Sequence, residues 1–558
     1  MGRIEYYVQK VVDYTSRYNY SNSFYYSPNN VIGKYEHYPA YGDFPEAYCL
    51  RHYGNWLKCS EKLQPNYRPQ DYDPLGAQDY IIVQFEGAVL PKDICVYEVF
   101  NPGAVVRIWG KLLFRTDRPW ILLWEGAPEK LPHNARKFHP KIREVNYLIN
   151  TIRLEFNQSH LEYHYSIEAI LLGGYKPASQ IEKAIMSRGI SSVQIVELEA
   201  SKMNISSADE QNNRLDCFSY LPNEVILHIF QYLDLKSLSR CSRVNKRWNF
   251  ITSDAILYQN LNLKPYWHLV NCDTIKCFMD KSKTLKKLDL SWCGNDIDGF
   301  DQLVAIFIGT NQKFLTHLSL ANCNFLNCQI MLETSKCGEL VDLRLNNVKS
   351  CFTINFSLLT SLNKLVCLDL TSTNIHDCHV ISILKSNPHL SVIILDLCEN
   401  IQRLDQVVDT AVEYNKKLST WSSWKTFSLT AEGVKQLSNC HNLTELDLGW
   451  CFVNKDPGNC LNYIAEGCPK LKRLILSEWR GLTDNLIAPI LKSCKELTQL
   501  DFLGIKNISS QICEKALMSL PKLQLLDLYY CDSISMEEVN LWRQKYPHVI
   551  IKVFNECD

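Results

Sequence analysis

The stretch LKKLDLSWC, residues 285–293, sets a pattern that returns through the C-terminal half of the chain. It has the form Leu-x-x-Leu-x-Leu-x-x-Cys, and nine further copies, some of them degenerate, begin at Leu315, Leu340, Leu365, Leu390, Leu418, Leu443, Leu471, Leu497 and Leu523. The steps between copies are 30, 25, 25, 25, 28, 25, 28, 26 and 26 residues. A nearly constant step of this kind is the signature of a solenoid. The sequence therefore predicts an arc of about ten repeats over residues 263–558.

Each repeat is predicted to contain one short strand and one helix. The leucines at the fourth and sixth positions share one face because strand side chains alternate. In the eighth repeat, Leu486, Ile490 and Leu491 have helical spacing. One repeat cannot bury its own apolar face, so neighbours must stack into a continuous core. The sixth repeat has Trp421 and Ser423 in place of two leucines, which predicts a kink in the arc.

The chain has 23 cysteines but no Cys-x-x-Cys pair, which argues against the common zinc modules. Most cysteines keep step with the repeats. Five lie eight residues after the first leucine and four lie three residues before it: Cys293, Cys323, Cys398, Cys451, Cys531, Cys337, Cys440, Cys468 and Cys494. Buried thiols behave as small apolar groups, so we expect packing roles, no metal and no cofactor. The spacing resembles the cysteine-containing subfamily of leucine-rich repeats, which implies an α/β solenoid.

A short helical segment, predicted at residues 215–262, precedes the repeats. Within YLPNEVILHIFQYL, residues 220–233, apolar side chains recur at helical spacing. A segment of this size has too small a core to be comfortable alone. It is expected either to lay an apolar face into a partner's groove or to cap the repeat array as a helical hairpin. Spacing does not separate these two alternatives.

A family resemblance favours docking into a partner's groove over capping of the repeat array. The motifs LPxE at Leu221, IFxYL at Ile229 and V-x-K-R-W at Val244 are similar to the F-box signature, with Asn245 where the family often has Cys. The resemblance implies a small all-α domain that binds a Skp-type adaptor and, through it, cullin and RING subunits. The adaptor-binding residues that it implies are Leu221, Pro222, Glu224, Ile229, Phe230, Leu233, Leu238, Val244 and Trp248.

Residues 1–175 have a different composition, rich in tyrosine and in short strand-like runs separated by Pro and Gly. These runs predict a β-sandwich or jelly roll. They are residues 80–85, 94–100, 105–109, 120–124, 152–156 and 167–172. The run VYEVFNPGAVVRIWG, residues 96–110, resembles the discoidin-like domain, which implies ligand-binding loops at one end. We expect an exposed aromatic-rich loop from Tyr35 to Tyr48 to serve that role, or the domain merely to orient the rest. Residues 176–214 predict a flexible linker.

Several function classes are disfavoured. A formal net charge of −1 removes the global basic footprint of a nucleic-acid binder. The sequence contains no run of about 18 apolar residues, so no transmembrane segment is predicted. The N-terminus has no evident targeting segment, so we expect the cytoplasm, including the outer surface of mitochondria, or the nucleus. Gly-rich phosphate loops, nucleophile elbows and His-Glu-x-x-His motifs are absent from the sequence, so no catalytic residue is expected.

The domain order resembles the family of F-box proteins with cysteine-type repeats and an N-terminal discoidin-like domain. That resemblance implies a substrate receptor of an SCF-type ubiquitin ligase, which recruits proteins for ubiquitination and proteasomal degradation. It also implies mitophagy receptors of the mitochondrial outer membrane as candidate substrates. The alternative is a non-catalytic binding scaffold that acts outside a ligase.

Two sets of residues are candidates for holding a protein substrate. Aromatic residues at the strand exits are favoured as interface anchors, although packing under the repeat turns would also explain them. Between the second and third leucines, five of ten repeats have Asp, which would attract a basic segment, although Leu-Asp-Leu is common in this repeat class. The candidates are Trp292, Arg344, Trp424, Asp447, Trp450, Tyr529 and Tyr530.

Overall fold

A computed structural model describes residues 3–15, 26–42, 44–50, 73, 75–112, 119–161, 164–176, 218, 221–294, 297–348, 354–453 and 455–553. The chain forms two compact units that divide between Ser253 and Asp254. The predicted linker, residues 176–214, lies outside the described residues apart from Lys176.

The N-terminal part of the first unit is a β-sandwich of antiparallel strands. Its strands are β1 (Arg3–Tyr14), β2 (Tyr48–Leu50), β3 (Asp79–Phe100), β4 (Val105–Lys111), β5 (Ile121–Glu125), β6 (Arg136–Phe138), β7 (Ile149–Phe156) and β8 (Tyr165–Tyr175). The order is β2-β8-β1-β3-β7-β4-β5, with β6 on β3. Strand β3 pairs with β7 along its first half and with β8 along its second half, so it belongs to both sheets. Side chains from both sheets, such as Phe85 and Leu172, form one buried cluster.

The two predicted strands at 80–85 and 94–100 are one strand, β3, so the prediction of a break between them is wrong. The pairing with β7 shifts register between Gln84 and Val89. Gly87 lies inside that shift, and a Cβ there would meet the Tyr6 hydroxyl at 2.5 Å. The strand therefore bends at a close approach instead of ending.

Among the described residues of the first unit, three helices follow: α1 (Asn223–Phe230), α2 (Leu235–Cys241) and α3 (Lys246–Ile251). Helices α2 and α3 begin where a side chain accepts a backbone amide of the first turn. Asp234 accepts from the Ser237 amide at 2.6 Å at the start of α2, and Asn245 accepts from the Trp248 amide at 2.8 Å at the start of α3. Helix α1 starts directly after Pro222, which makes no side-chain cap.

The second unit is a twelve-stranded parallel sheet whose strands pair in chain order. The strands are β9 (Asn260–Asn262), β10 (Lys287–Asp289), β11 (His317–Ser319), β12 (Asp342–Arg344), β13 (Cys367–Asp369), β14 (Val392–Ile394), β15 (Thr420–Ser422), β16 (Glu445–Asp447), β17 (Arg473–Ile475), β18 (Gln499–Asp501), β19 (Leu525–Asp527) and β20 (Ile550–Lys552). Strands β10–β19 are the ten that the repeats predict. Strand β9 lies before the predicted start of the arc at 263, and β20 lies beyond the last predicted repeat.

Helices connect most of these strands. They are α4 (Cys272–Lys281), α5 (Phe300–Asn311), α6 (Cys328–Ser335), α7 (Asp377–Ser386), α8 (Leu404–Tyr414), α9 (Ala431–Leu437), α10 (Cys460–Gly467), α11 (Asp484–Ser493), α12 (Ser510–Ser519) and α13 (Met536–Lys545). A 3-10 helix, Phe356–Ser361, takes this place between β12 and β13. The inward leucines, such as Leu288 and Leu290, are buried. The predicted fold class, a multidomain chain with a β-rich domain, a small helical domain and an α/β solenoid, is confirmed.

All ten predicted repeats share one backbone feature at the strand exit. The residue seven positions after the first leucine has a positive φ: Trp292, Asn322, Asn347, Ser372, Leu397, Lys425, Trp450, Glu478, Gly504 and Tyr530. From Trp292 to Gly504, the amide of this residue donates to a carbonyl of the next repeat, as Trp292 does to Ala321 at 3.1 Å. The hydrogen-bond ladder therefore continues past the three-residue strands β10–β18.

The repeat cysteines have a more specific role than the sequence suggested. The thiol of Cys323 donates to the Leu290 carbonyl at 3.2 Å, and that of Cys398 donates to the Leu370 carbonyl at 3.1 Å. In both cases the acceptor is a strand-exit carbonyl of the preceding repeat. Burial raises the pKa of Cys398 to about 12, so this thiol stays protonated and keeps its donor.

The predicted kink in the sixth repeat is wrong. Strand β15 pairs in register with both neighbours, and Trp421 lies between Ile393 and Leu446. The Trp421 side chain is fully buried, and its indole N–H donates to the Ser423 hydroxyl at 3.1 Å. The two departures from leucine therefore compensate each other, because Ser423 makes room for the larger ring and satisfies its donor.

We expect Trp421→Ala to lower the free energy of unfolding of the repeat unit by about 3–5 kcal/mol. The substitution leaves a cavity and removes the indole N–H that donates to the Ser423 hydroxyl. Denaturant titration of the full chain measures this, with Met518→Ala, at an exposed helix position, as the matched control. A loss below about 1 kcal/mol would show that the sheet does not depend on this ring.

Candidate functional site

The three helices of the small domain leave large apolar side chains in solvent. Ile226, Phe230 and Leu238 are buried in their interior. In contrast, Val244 is 59% exposed and Phe250 is 76% exposed. Three more exposed side chains, Val225, Ile229 and Tyr232, follow helical spacing along and just beyond α1. Exposed apolar groups at this density make the small domain a candidate for protein binding. We call these five residues the F-box apolar surface: Val225, Ile229, Tyr232, Val244 and Phe250.

The predicted adaptor-binding residues divide into those that solvent reaches at least in part and those that are buried. Pro222, Glu224, Ile229 and Val244 are exposed, and Leu221, Leu233 and Trp248 are half-buried. Phe230 and Leu238 are interior residues, so they support the surface and do not form it.

Trp248 is half-buried because its ring packs against two other aromatic rings. It packs edge-on against Phe218, with 5.3 Å between ring centroids, and against Phe230 at 5.2 Å. Sequence reasoning missed Val225, Tyr232 and Phe250. The spacing of Ile229 along α1 could have found Val225 and Tyr232, whereas Phe250 depends on where α3 begins.

Most of the predicted substrate-binding aromatics at the strand exits are buried. Trp292, Trp424 and Tyr529 are buried, with Trp424 only 2% exposed. The Lys264 ammonium lies 4.3 Å from the Trp292 ring centre. Packing under the turns therefore explains these three residues. Trp450 and Tyr530 remain half-exposed.

The half-exposed Trp450 belongs to a stack. The Lys425 ammonium lies 4.7 Å from the Trp424 ring centre and 4.4 Å from the Trp450 ring centre. Both Lys425 and Trp450 have the left-handed backbone of the strand exit. Bulky residues rarely adopt that conformation without a compensating contact.

The aspartates between the second and third leucines have a structural role that the sequence did not reveal. Each side chain accepts the amide two residues later, at 2.8 Å for Asp289, 3.0 Å for Asp369 and 3.0 Å for Asp447. Asp501 and Asp527 do the same. This turn chemistry explains the frequent Leu-Asp-Leu without invoking a basic substrate. Arg344 is similarly engaged, because Asp342 accepts from two of its nitrogens at 3.0 and 2.9 Å.

Two carboxylates face each other near the C-terminal end of the sheet. Asp501 and Asp527 are register partners in β18 and β19, and Lys552 in β20 lies beside Asp527, with 3.6 Å between the ammonium and a carboxylate oxygen. Burial and the neighbouring Asp527 raise the pKa of Asp501 to about 7. Since adjacent strands are about 4.8 Å apart, the two charges repel when both groups are ionised.

In the sandwich, the aromatic-rich loop is pinned to the sheet in part, and its described residues range from exposed, as at Glu36 and Pro39, to buried, as at Tyr48. The Glu168 carboxylate accepts the amides of Glu36, His37 and Tyr38 at 2.7, 2.6 and 2.8 Å. Tyr35 packs on Tyr97, with 4.4 Å between ring centroids. Tyr48 is fully buried.

Within the part of the chain that the structure describes, no cluster of His, Cys, Asp and Glu could hold a metal ion. Within the same residues, no helix is both long and apolar enough to cross a membrane.

Comparison with known proteins identifies similar chains. The F-box-like family model matches residues 218–264. F-box/LRR-repeat protein 4 of Bos taurus is 31% identical over 521 residues, which covers 88% of this chain and 82% of that protein. F-box/LRR-repeat protein 5 of Bos taurus is 25% identical over 377 residues, 59% of this chain and 51% of that protein. A chain from the crystal structure of the Rad7 and Elc1 complex in yeast has a TM-score of 0.45 at 16% identity and covers 68% of this chain and 98% of its own length, a likeness too distant to bear on function.

We expect Asp501→Asn to stabilise the C-terminal repeats at pH 8 by about 1–3 kcal/mol and to leave them unchanged near pH 4. The folded pKa of about 7 exceeds the ordinary value of 3.8, so the contribution of Asp501 to stability is full below pH 4 and is lost as the pH rises through 7. Asparagine keeps the oxygen that accepts the Leu503 amide at 3.0 Å.

Hydrogen exchange of α13 and β20 at pH 4 and pH 8 measures this effect. Asp289→Asn is the matched control, because its register partners are Asn262 and Ser319 and not a second carboxylate. Equal pH dependence in the wild type and in Asp501→Asn would contradict the assignment.

Proposed function

The chain belongs to the family of F-box/LRR-repeat protein 4, and we propose that it is the substrate-recognition subunit of an SCF-type (Skp–cullin–F-box) ubiquitin ligase. The observation that carries the proposal is the F-box apolar surface, joined in one chain to a repeat solenoid. The proposed F-box spans residues 215–262 and the proposed repeat arc spans residues 263–558. The partners are a Skp-type adaptor and, through it, cullin and RING subunits.

The exposed side chains of the F-box supply the driving force for adaptor binding. Val244 and Phe250 lie on either side of the start of α3, and Ile229 lies on α1. Burying a side chain of this kind stabilises a complex by about 1.5–3 kcal/mol. Five such residues on a domain of about 48 residues, 215–262, are more than a stable isolated domain would leave in water.

The proposed contribution of the chain to ubiquitin transfer is proximity. Adaptor, cullin and RING subunits bring the charged conjugating enzyme, and the receptor holds a substrate lysine close to it. Holding two reactants together raises the effective concentration of one at the other without any catalytic side chain in the receptor.

For the substrate, we propose the strand-exit edge of the arc, with Trp450 and Tyr530 as anchors and Arg344 as a secondary contact on the concave face. Trp450 is half-exposed, and Lys425 holds one side of its ring. Trp and Tyr bury a large area at low cost in side-chain entropy, which suits them to this role. The buried candidates Trp292, Trp424, Asp447 and Tyr529 support this edge from below.

Three finer proposals rest on the family resemblance alone. Substrates include mitophagy receptors of the mitochondrial outer membrane, and ubiquitination leads them to the proteasome. The protein acts in the cytoplasm, including the outer mitochondrial surface. The sandwich, proposed at residues 1–175, is a discoidin-like domain that orients the arc or adds a second binding surface.

We expect the double variant Ile229→Asp, Val244→Asp to lose adaptor binding by at least about a hundredfold, because two carboxylates would be buried in an apolar interface. Pull-down of purified Skp-type adaptor and cullin by the full chain measures this. Ile306→Asp, at an equally exposed position on α5, is the matched control. A wild-type chain that captures neither partner would favour a scaffold outside a ligase.

We expect Trp450→Asn to reduce capture of substrate proteins severalfold while changing stability by less than about 1 kcal/mol, because relief at the positive φ offsets the lost contact with Lys425. Asparagine already occupies this repeat position at Asn322 and Asn347. Proximity labelling of cells measures capture, and Ser372→Asn at the same repeat position is the control. An unchanged set of labelled proteins would remove Trp450 from the substrate surface.

A further inference from the structure

Arg247 joins the last helix of the F-box to the segment that leads into the first. Its Nε donates to the Asn223 side-chain oxygen at 2.8 Å. One Nη donates to the Phe218 carbonyl at 3.2 Å, and the other donates to the Leu221 carbonyl. A single side chain on α3 therefore reaches three acceptors that lie between 24 and 29 residues away along the chain.

The chemistry of the guanidinium suits this task. It presents five N–H donors in one rigid plane, so it can satisfy several acceptors at the same time. An ammonium is a point charge on a flexible stem and lacks that fixed geometry. The Leu221 carbonyl precedes α1 and has no place in its ladder of hydrogen bonds, so the guanidinium supplies its donor. The Phe218 carbonyl accepts the Leu221 amide at 3.3 Å as well as Arg247.

The same segment carries part of the proposed adaptor-binding surface. Leu221 and Pro222 lie between the Phe218 and Asn223 acceptors. The Phe218 ring packs on Trp248, the residue that follows Arg247. The position of Leu221 and Pro222 relative to α3 and Val244 therefore depends on how firmly this segment is held.

We propose that Arg247 is a positioning residue for adaptor binding. It fixes Phe218 and residues 221–223 against α3 before the adaptor arrives, so the cost of ordering them is met during folding and not during association. This inference rests on the proposed function, because it assumes that the F-box binds a Skp-type adaptor.

Titration calorimetry of the full chain with purified Skp-type adaptor tests the inference. We expect Arg247→Ala to weaken binding about tenfold, mainly through a less favourable entropy, because the segment must then be ordered on binding. Arg247→Lys keeps the charge but not the planar geometry and should lose most of the same affinity. Arg243→Ala, which removes an exposed arginine from the same domain, is the control and should bind like the wild type.

A measurement on the free chain separates this inference from the proposed function. Hydrogen exchange at the amides of Leu221 and Asn223 should be faster in Arg247→Ala than in the wild type, while α2 stays protected. If Arg247→Ala disturbs the whole domain, Asn223→Ala, which removes one acceptor only, should still weaken binding by about twofold to threefold. Wild-type affinity in both Arg247→Lys and Asn223→Ala would overturn the inference. A wild-type chain that does not bind the adaptor would instead overturn the proposed function.

Discussion

Each strand of the arc has only three residues, and its apolar side chains can be covered only by the neighbouring repeats. This dependence on stacking explains most other features of the second unit. At every predicted strand exit one residue has a left-handed backbone conformation, and in most repeats the amide of that residue continues the hydrogen-bond ladder. Thiols such as that of Cys323 and carboxylates such as that of Asp289 complete the turn by satisfying backbone groups. These polar groups are therefore engaged in hydrogen bonds that hold the fold together. The half-exposed side chains at the strand-exit edge remain as the candidates for contact with a partner.

The F-box, unlike the repeats, has no stacked neighbours of its own kind to cover its apolar side chains. Its three short helices bury a few residues, of which Phe230 is 2% exposed, and leave others such as Phe250 in solvent. A domain of this size cannot turn all its large apolar groups inward. Polar contacts keep its shape: Asn245 caps α3, and Arg247 ties α3 to the start of α1. The surface that remains is apolar, held in place and available, which is what association with an adaptor requires.

The repeat pattern predicted ten strands and their inward leucines because period and step are written directly in the sequence. It missed β9 and β20, since Asn260–Asn262 and Ile550–Lys552 keep only part of the leucine pattern. The function of the aspartates was not predictable from spacing, because it depends on a turn that brings the amide two residues later to the carboxylate. For the same reason, spacing could not separate the buried Trp424 from the half-exposed Trp450. Asn245, a departure from the F-box signature, proved to be a helix cap, a role that needs only the right side chain one residue before the helix.

In the proposed function, one chain holds both the ligase machinery and the protein to be modified. Reconstitution is the test: the full chain with its captured cellular proteins is mixed with purified Skp-type adaptor, cullin, RING subunit, ubiquitin and the activating and conjugating enzymes. We expect ubiquitin to be attached to the captured proteins with the wild-type chain and not with the Ile229→Asp, Val244→Asp variant. If adaptor and cullin bind to the wild-type chain but the captured proteins are modified no more than with the variant, the chain is not a substrate receptor.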